Sequence, residues 1–169
     1  KREGLTKSIH LVGNTMIDTL YKNIEIIKES EYYKKIDLVK SKYILITLHR
    51  PSNVDNKEKF NIIVDTLNRI QKENEYQIVW PMHHRAKANI DKYNIVLNDN
   101  IKILPPLGYI EFINLQMNSY CVITDSGGVQ EETTALSTPC LTLRDNTERP
   151  ITITEGTNEL IKIEELEEK

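Results

Sequence analysis

From residue 43 onward, short runs of β-branched and apolar residues alternate with amphipathic stretches. That is the pattern of a parallel α/β sheet. It predicts strands over residues 43–48, 77–82, 101–104, 121–124 and 140–143. Between the first two, Phe60, Ile63, Val64, Leu67 and Ile70 recur at three- and four-residue intervals, so a helix with one apolar face packs on the sheet. Shorter helices are predicted over 85–93, 109–118 and 129–136, each compatible with a right-handed crossover. Upstream, Asn14 or Thr15 caps a helix whose stripe is Ile17, Leu20, Tyr21, Ile24 and Ile27. Residues 9–12 read as a strand detached from this sheet, 151–154 as β-like, and 164–169 as the start of a further helix. The expected fold class is α/β with a parallel sheet.

Composition narrows the function without naming it. The chain has 169 residues, a net charge of -3 and 39% hydrophobic residues, enough for a core. A mildly acidic chain lacks the basic field expected of a nucleic-acid binder. The apolar runs are too short to span a bilayer, and residues 1–20 lack a signal peptide's apolar core, so a soluble cytoplasmic protein with no membrane partner is expected. Cys121 and Cys140 lie in apolar β-like runs and are expected to be buried, reduced thiols. The chain opens without methionine and stops in a run of charges, and it is read as a piece of something longer.

If the strands are parallel, the segments after them share one edge, where open α/β sheets bind ligands. That edge carries His49-Arg50, His83-His84-Arg85, Tyr109, Asp125-Ser126-Gly127-Gly128 and Arg149. Two glycines at a strand-to-helix junction allow close backbone approach, and the helix N-terminus offers unpaired N–H groups and partial positive charge, which suits a phosphate. Ser126 adds a hydroxyl, and a carboxylate one turn on, Glu131 or Glu132, offers two acceptor oxygens to a ribose diol. The competing reading is a tight turn in which Gly127 and Gly128 supply positive φ and Ser126 only caps the helix. Imidazoles at His49 and His83 suit donation to phosphate oxygens or protonation of a leaving group. Tyr109 and Phe112, one turn apart, offer an aromatic face to a base or fill the core. Arg149 reaches a phosphate or sugar, or closes a salt bridge within its loop. His10 is read as structural. Neither histidine pair has metal-site spacing, so no metal is expected.

Seven motifs in order carry a resemblance: Gly13-Asn14-Thr15 with Ile17-Asp18-Thr19-Leu20; Thr47-Leu48-His49-Arg50 with Asn53-Val54-Asp55; Pro81-Met82-His83; Asp125 to Glu132; Leu143-Arg144-Asp145; Thr147-Glu148-Arg149-Pro150; and Gly156-Thr157-Asn158. Together they resemble the non-hydrolysing UDP-N-acetylglucosamine 2-epimerases over about residues 9–160. The resemblance implies a three-layer Rossmann-like domain with a parallel sheet, one half of a glycosyltransferase-B architecture, the C-terminal, UDP-binding half. Residues 1–13 would then be a remnant of the N-terminal domain or a connector, 14–42 a connecting helical segment, and 43–169 the UDP-binding domain with its last helix cut short. Residue by residue, it implies that Ser126, Gly127 and Gly128 bind the diphosphate, Glu132 the ribose hydroxyls, and Phe112 lies by the uracil. His49 matches a catalytic histidine near the diphosphate. Arg50 and His83 match positions that bind a second UDP-N-acetylglucosamine as activator in bacterial members. Ile151 stands where many members have Glu, and Lys162 replaces a common glycine.

The implied reaction inverts C2 of the sugar by anti elimination and re-addition of UDP, without a redox cofactor. The carboxylates that move the C2 proton would belong to the absent N-terminal domain, so this chain alone is expected to bind UDP weakly and epimerise nothing. The family's enzymes commonly form homodimers. An epimerase for a diacetamido uronic acid, a hydrolysing 2-epimerase and a non-catalytic nucleotide-binding module are the alternatives.

Overall fold

In a computed structural model, the structure describes residues 10 and 12–166. Six parallel strands form one sheet: β1 (Tyr43–Thr47), β2 (Gln77–Pro81), β3 (Lys102–Leu104), β4 (Cys121–Thr124), β5 (Cys140–Leu143) and β6 (Asn158–Ile161). Their spatial order is β3-β2-β1-β4-β5-β6, so the order reverses between β1 and β4. The helices are α1 (Thr15–Ser30), α2 (Tyr32–Lys35), α3 (Pro51–Val54), α4 (Lys57–Glu73), α5 (His84–Tyr93), α6 (Tyr109–Asn118), α7 (Gly127–Leu136) and α8 (Ile151–Thr154), followed by a 3-10 turn at Ile163–Glu165.

Side chains of β1 alternate between two cores, as a pleated strand requires. Ile44 and Ile46 face α4 and α5, joining Phe60, Ile63, Leu67, Ile78 and Trp80, while Tyr43 and Leu45 face the other layer with Val79, Leu115 and Val122. Burial on both faces is why the strands read as continuous apolar runs. Phe60 meets Trp80 edge-on at 6.4 Å between ring centroids, and both are fully buried. Truncating such a phenylalanine to alanine costs about 3–5 kcal/mol.

The Asn14 side chain caps α1 by accepting from Met16 N at 3.0 Å. The stripe it starts is partly realised: Leu20 and Ile27 are fully buried against Ile113 of α6, whereas Tyr21 is exposed. Within segment 14–42, α1 packs on α6 and α7, and α2 on α6.

Two readings of the sequence change. Residues 151–154, expected to be β-like, form the helical turn α8: Pro150 holds φ at -58°, and Thr152 Oγ1 donates back to the Arg149 carbonyl at 2.7 Å. The sheet gains β6, which pairs with β5 from Asn158 onward. Of the strand expected over 9–12, residues 9 and 11 lie outside the described residues, as do 167–169 of the terminal helix expected over 164–169; residues 164 and 165 of that helix belong to the 3-10 turn, and His10 is exposed. Cys121 and Cys140 are free and buried, and burial pushes their thiol pKa values up to about 12 and about 11.

Candidate functional site at the sheet switch point

The strand order reverses between β1 and β4, and the segments leaving their C-terminal ends diverge there to form the crevice in which such sheets hold ligands. Asp125, the first residue past β4, is fully buried in its floor. Its carboxylate accepts from the backbone N–H groups of His49 and Arg50 at 3.1 and 2.9 Å and from Asn53 Nδ2 at 3.1 Å. His49 Nδ1 lies 3.1 Å from its other oxygen. Burial alone would push this carboxyl up, but the donors from His49, Arg50 and Asn53 outweigh it and hold Asp125 below its ordinary pKa. Asn53 also donates to the Leu143 carbonyl at 3.0 Å, tying the post-β1 loop to β5. With Nδ1 turned to Asp125, Nε2 is the His49 nitrogen left for a ligand, on a side chain 41% exposed.

Helix α7 starts directly beyond. Ser126 is its N-cap, yet its hydroxyl makes no capping bond; its backbone N–H donates instead to Thr124 Oγ1 at 3.0 Å. Gly127 and Gly128 do not have positive φ; they are the first helical residues. The tight-turn reading therefore fails on both counts. The glycines leave the helix N-terminus bare, except where Met16 of α1 lies across Gly128, 2.8 Å from where a Cβ would stand.

Glu131 and Glu132, interchangeable in the sequence, separate in space. Glu131 Oε1 lies 2.9 Å from Arg149 Nε, an ion pair without a hydrogen bond's alignment, so the ion pair of Arg149 is with α7, while its Nη1 donates to the Glu148 carbonyl of its own loop at 3.4 Å. Glu132 is 7% exposed and accepts from Gln116 Nε2 of α6 at 2.9 Å. Burial raises its pKa, the Gln116 bond opposes the rise, and the nearby Glu131 adds to it. Tyr109, partly exposed at the start of α6, has its hydroxyl pKa raised by burial and then by the charge of Glu132. Phe112 is half-buried against the core that contains Leu38, Tyr43 and Leu115.

Arg50 turns back into the protein, Nε donating to the Asp125 carbonyl at 2.7 Å and Nη2 lying 3.9 Å from Glu148. Glu148 is itself clasped by Arg144 through two bonds of 2.7 and 2.8 Å, which hold its pKa down at about 2. A cavity of about 310 Å³ on this side is lined by Arg50, Ser52, Lys59, Arg144, Asp145 and Lys162, away from Ser126 and Glu132. His83 caps α5, its Nδ1 accepting from Arg85 N at 3.2 Å. Burial first, then His84, His49 and Arg85, lower its pKa against the opposing pull of Asp125, and its ring centroid is 5.6 Å from that of His49.

His49, Asp125 and Ser126 thus meet at the switch point, with Glu132 further along α7 near Tyr109 at the start of α6. Asp125 and Gln116 were not singled out from the sequence. Asp125 is the first residue of a noted motif, but its partners lie 72 to 76 residues away. Gln116 carried one signal, a polar residue within the apolar part of a predicted helix. Among the described residues, no group of three or more His, Cys, Asp or Glu side chains is placed to hold a metal ion, and no helix is long and apolar enough to cross a membrane.

A parallel sheet with an open glycine-led helix at its switch point, a bare serine hydroxyl and a buried carboxylate one to two turns on defines a Rossmann-like nucleotide-binding class of domain. The family profile described as UDP-N-acetylglucosamine 2-epimerase matches residues 1–167, and the chain belongs to that family. A UDP-N-acetylglucosamine 2-epimerase of Methanococcus maripaludis is 41% identical over 165 residues, covering 93% of this chain and 45% of the relative. One of Methanocaldococcus jannaschii is 40% identical over 169 residues, covering 95% and 46%. The crystal structure of the Methanocaldococcus jannaschii UDP-GlcNAc 2-epimerase in complex with UDP-GlcNAc and UDP superposes with a TM-score of 0.89 at 40% identity, over 99% of this chain and 48% of that one. The chain thus spans about half the length of the relatives it matches.

Proposed function

We propose that this chain is the C-terminal, UDP-holding half of a UDP-N-acetylglucosamine 2-epimerase with glycosyltransferase-B architecture, the other half supplying most contacts to the sugar. The N-terminus of α7 and the Ser126 hydroxyl take the diphosphate, with Gly127 and Gly128 giving it room. Glu132 accepts from the ribose hydroxyls, and Tyr109 and Phe112 flank the base. His49 faces the diphosphate through Nε2, Arg149 stands at the rim beside Glu131, and Arg50 and His83 border a second nucleotide-sugar position.

In the whole enzyme, a base on the other half removes the C2 proton. The C1–O bond then breaks with its electron pair going to UDP; re-addition of UDP and protonation on the opposite face complete the inversion. Negative charge grows on the departing diphosphate, where the α7 N-terminus and His49 lower the barrier by donors already in place. The C2 base belongs to the other half, so this chain alone is expected to release no UDP-N-acetylmannosamine, and measurable turnover by it would refute this division of labour.

The observation that carries the reading is the Ser126 hydroxyl left out of the helix cap at the switch point. Calorimetric titration with UDP tests it. Ser126→Ala removes a hydrogen bond to a charged group and should weaken UDP binding about tenfold. Equal affinity in wild type and variant would place the diphosphate elsewhere.

A further inference from the structure

We infer that Gln116 is a positioning residue that fixes the Glu132 carboxylate for a ribose diol, so that this site selects ribonucleotides over 2′-deoxyribonucleotides. The inference rests on the nucleotide site proposed above and adds to it a residue and a specificity. Gln116 is fully buried in α6, and its Nε2 donates to Glu132 Oε2 at 2.9 Å. Its own Oε1 is buried with no hydrogen-bond partner among the described residues. A buried acceptor left unpaired is costly, and an apolar side chain of similar size would carry no such penalty. Among the described residues, the bond to Glu132 is the one hydrogen bond of this side-chain amide, and it ties Gln116 to a carboxylate on a neighbouring helix.

The geometry explains what the bond accomplishes. Glu132 has one oxygen held from behind by Gln116, while its other oxygen accepts no hydrogen bond from the described residues. A carboxylate has about four acceptor positions. Fixed at one of them, it cannot rotate to satisfy a single hydroxyl optimally; it presents both oxygens in one plane, which matches two vicinal hydroxyls and is half wasted on one. A site built to hydrogen-bond a hydroxyl rejects the analogue lacking it, because the acceptor is then left dry. Loosening Glu132 lets it turn toward the remaining 3′-hydroxyl and erodes that discrimination.

The test is calorimetric titration of this chain with UDP, 2′-deoxy-UDP and inorganic pyrophosphate. Wild type should prefer UDP to its deoxy analogue by about tenfold or more. Gln116→Met keeps the side-chain volume and removes the donor. It should bring the UDP to 2′-deoxy-UDP ratio to within about threefold of one while pyrophosphate affinity stays unchanged. In a Glu132→Gln background the same change should leave the ratio untouched, because Gln116 acts only through Glu132. An unaltered ratio in Gln116→Met, or an equal loss of pyrophosphate binding, overturns the positioning role. Equal binding of UDP and 2′-deoxy-UDP by wild type overturns the selectivity but leaves the diphosphate site standing. No binding of UDP by wild type overturns the proposed function itself. Should the Met variant melt below the assay temperature, the Gln116 side-chain amide resonances of the unmutated chain serve instead. UDP should shift them further than 2′-deoxy-UDP does; no shift at saturating UDP, or equal shifts with the two nucleotides, overturns the proposal.

Discussion

Asp125 and Glu132 lie on either side of the two glycines that open α7, and both are buried carboxylates, but their surroundings are opposite in kind. Asp125 is fully enclosed and receives donors from His49, Arg50 and Asn53, enough to hold its pKa below the ordinary value despite burial. Glu132 is 7% exposed and receives one donor, from Gln116, so burial wins and its pKa rises. A saturated carboxylate organises the protein around itself; an under-supplied one is a vacancy in hydrogen bonding that a ligand can fill. The first holds the His49 loop against β4, and the second keeps its remaining acceptor capacity.

Breaking the saturated side should produce the largest effect. Asp125→Ala strands the N–H groups of His49 and Arg50 and the amide of Asn53, and should cost about 3 kcal/mol of stability, read as a lower urea midpoint at constant slope. A loss below about 1 kcal/mol would mean that the loop is held by something other than this carboxylate.

The glycine-led helix start between the two carboxylates should respond differently. A methyl at Gly127 would meet only Glu148 Oε2 at 3.8 Å and Arg144 Nη1 at 4.0 Å, and the position is already helical, so Gly127→Ala should leave stability within about 0.5 kcal/mol of wild type. The same methyl stands where the proposed diphosphate approaches the helix, and UDP affinity should fall more than about tenfold. Unchanged UDP affinity would move the ligand off this helix end. Glu132→Gln should weaken UDP about tenfold and leave stability level or slightly raised, since it removes a buried charge that the fold supports poorly. A matching loss of stability would make Glu132 a structural residue like Asp125.

How far this contrast was readable in advance depends on sequence distance. The central strands were legible because β1, β2 and β4 are buried on both faces, and the motif at 125–132 pointed to the ligand-binding edge because two glycines after an apolar strand allow close backbone approach to a helix N-terminus. The roles of the carboxylates were not legible. Asp125 draws its donors from residues 49 to 53, and Glu132 takes its one donor from Gln116, pairings that depend on β1 lying beside β4 and on α6 lying beside α7. Local propensity misread residues 151–154 for the related reason that a β-branched Ile-Thr-Ile-Thr run was overruled by the Pro150 start and by Thr152 bonding back to Arg149. In the same way, β6 has only Ile161 as a buried apolar residue and owes its pairing to β5 and to Asn158 Nδ2 donating to the Gln130 carbonyl at 2.9 Å.

The smallest effect expected is also the one that sets the two carboxylates directly against each other. Asp125 binds its proton less readily folded than unfolded, so its contribution is complete above its ordinary pKa of 3.8 and is lost as pH falls through the lower folded value. Glu132 has the reverse sign: its folded pKa lies above the ordinary 4.5, so ligand-free stability declines as pH rises from 4.5 through the raised value. UDP needs the ionised carboxylate as acceptor, so its affinity should climb over that same interval, by no more than about tenfold. Stability and affinity therefore run in opposite directions across one pH window, to be followed by urea unfolding and UDP titration in parallel. Glu132→Gln should flatten both trends there and leave the acid loss governed by Asp125 in place at lower pH. If the variant keeps either trend, another group is titrating and the assignment of Glu132 as the open carboxylate fails.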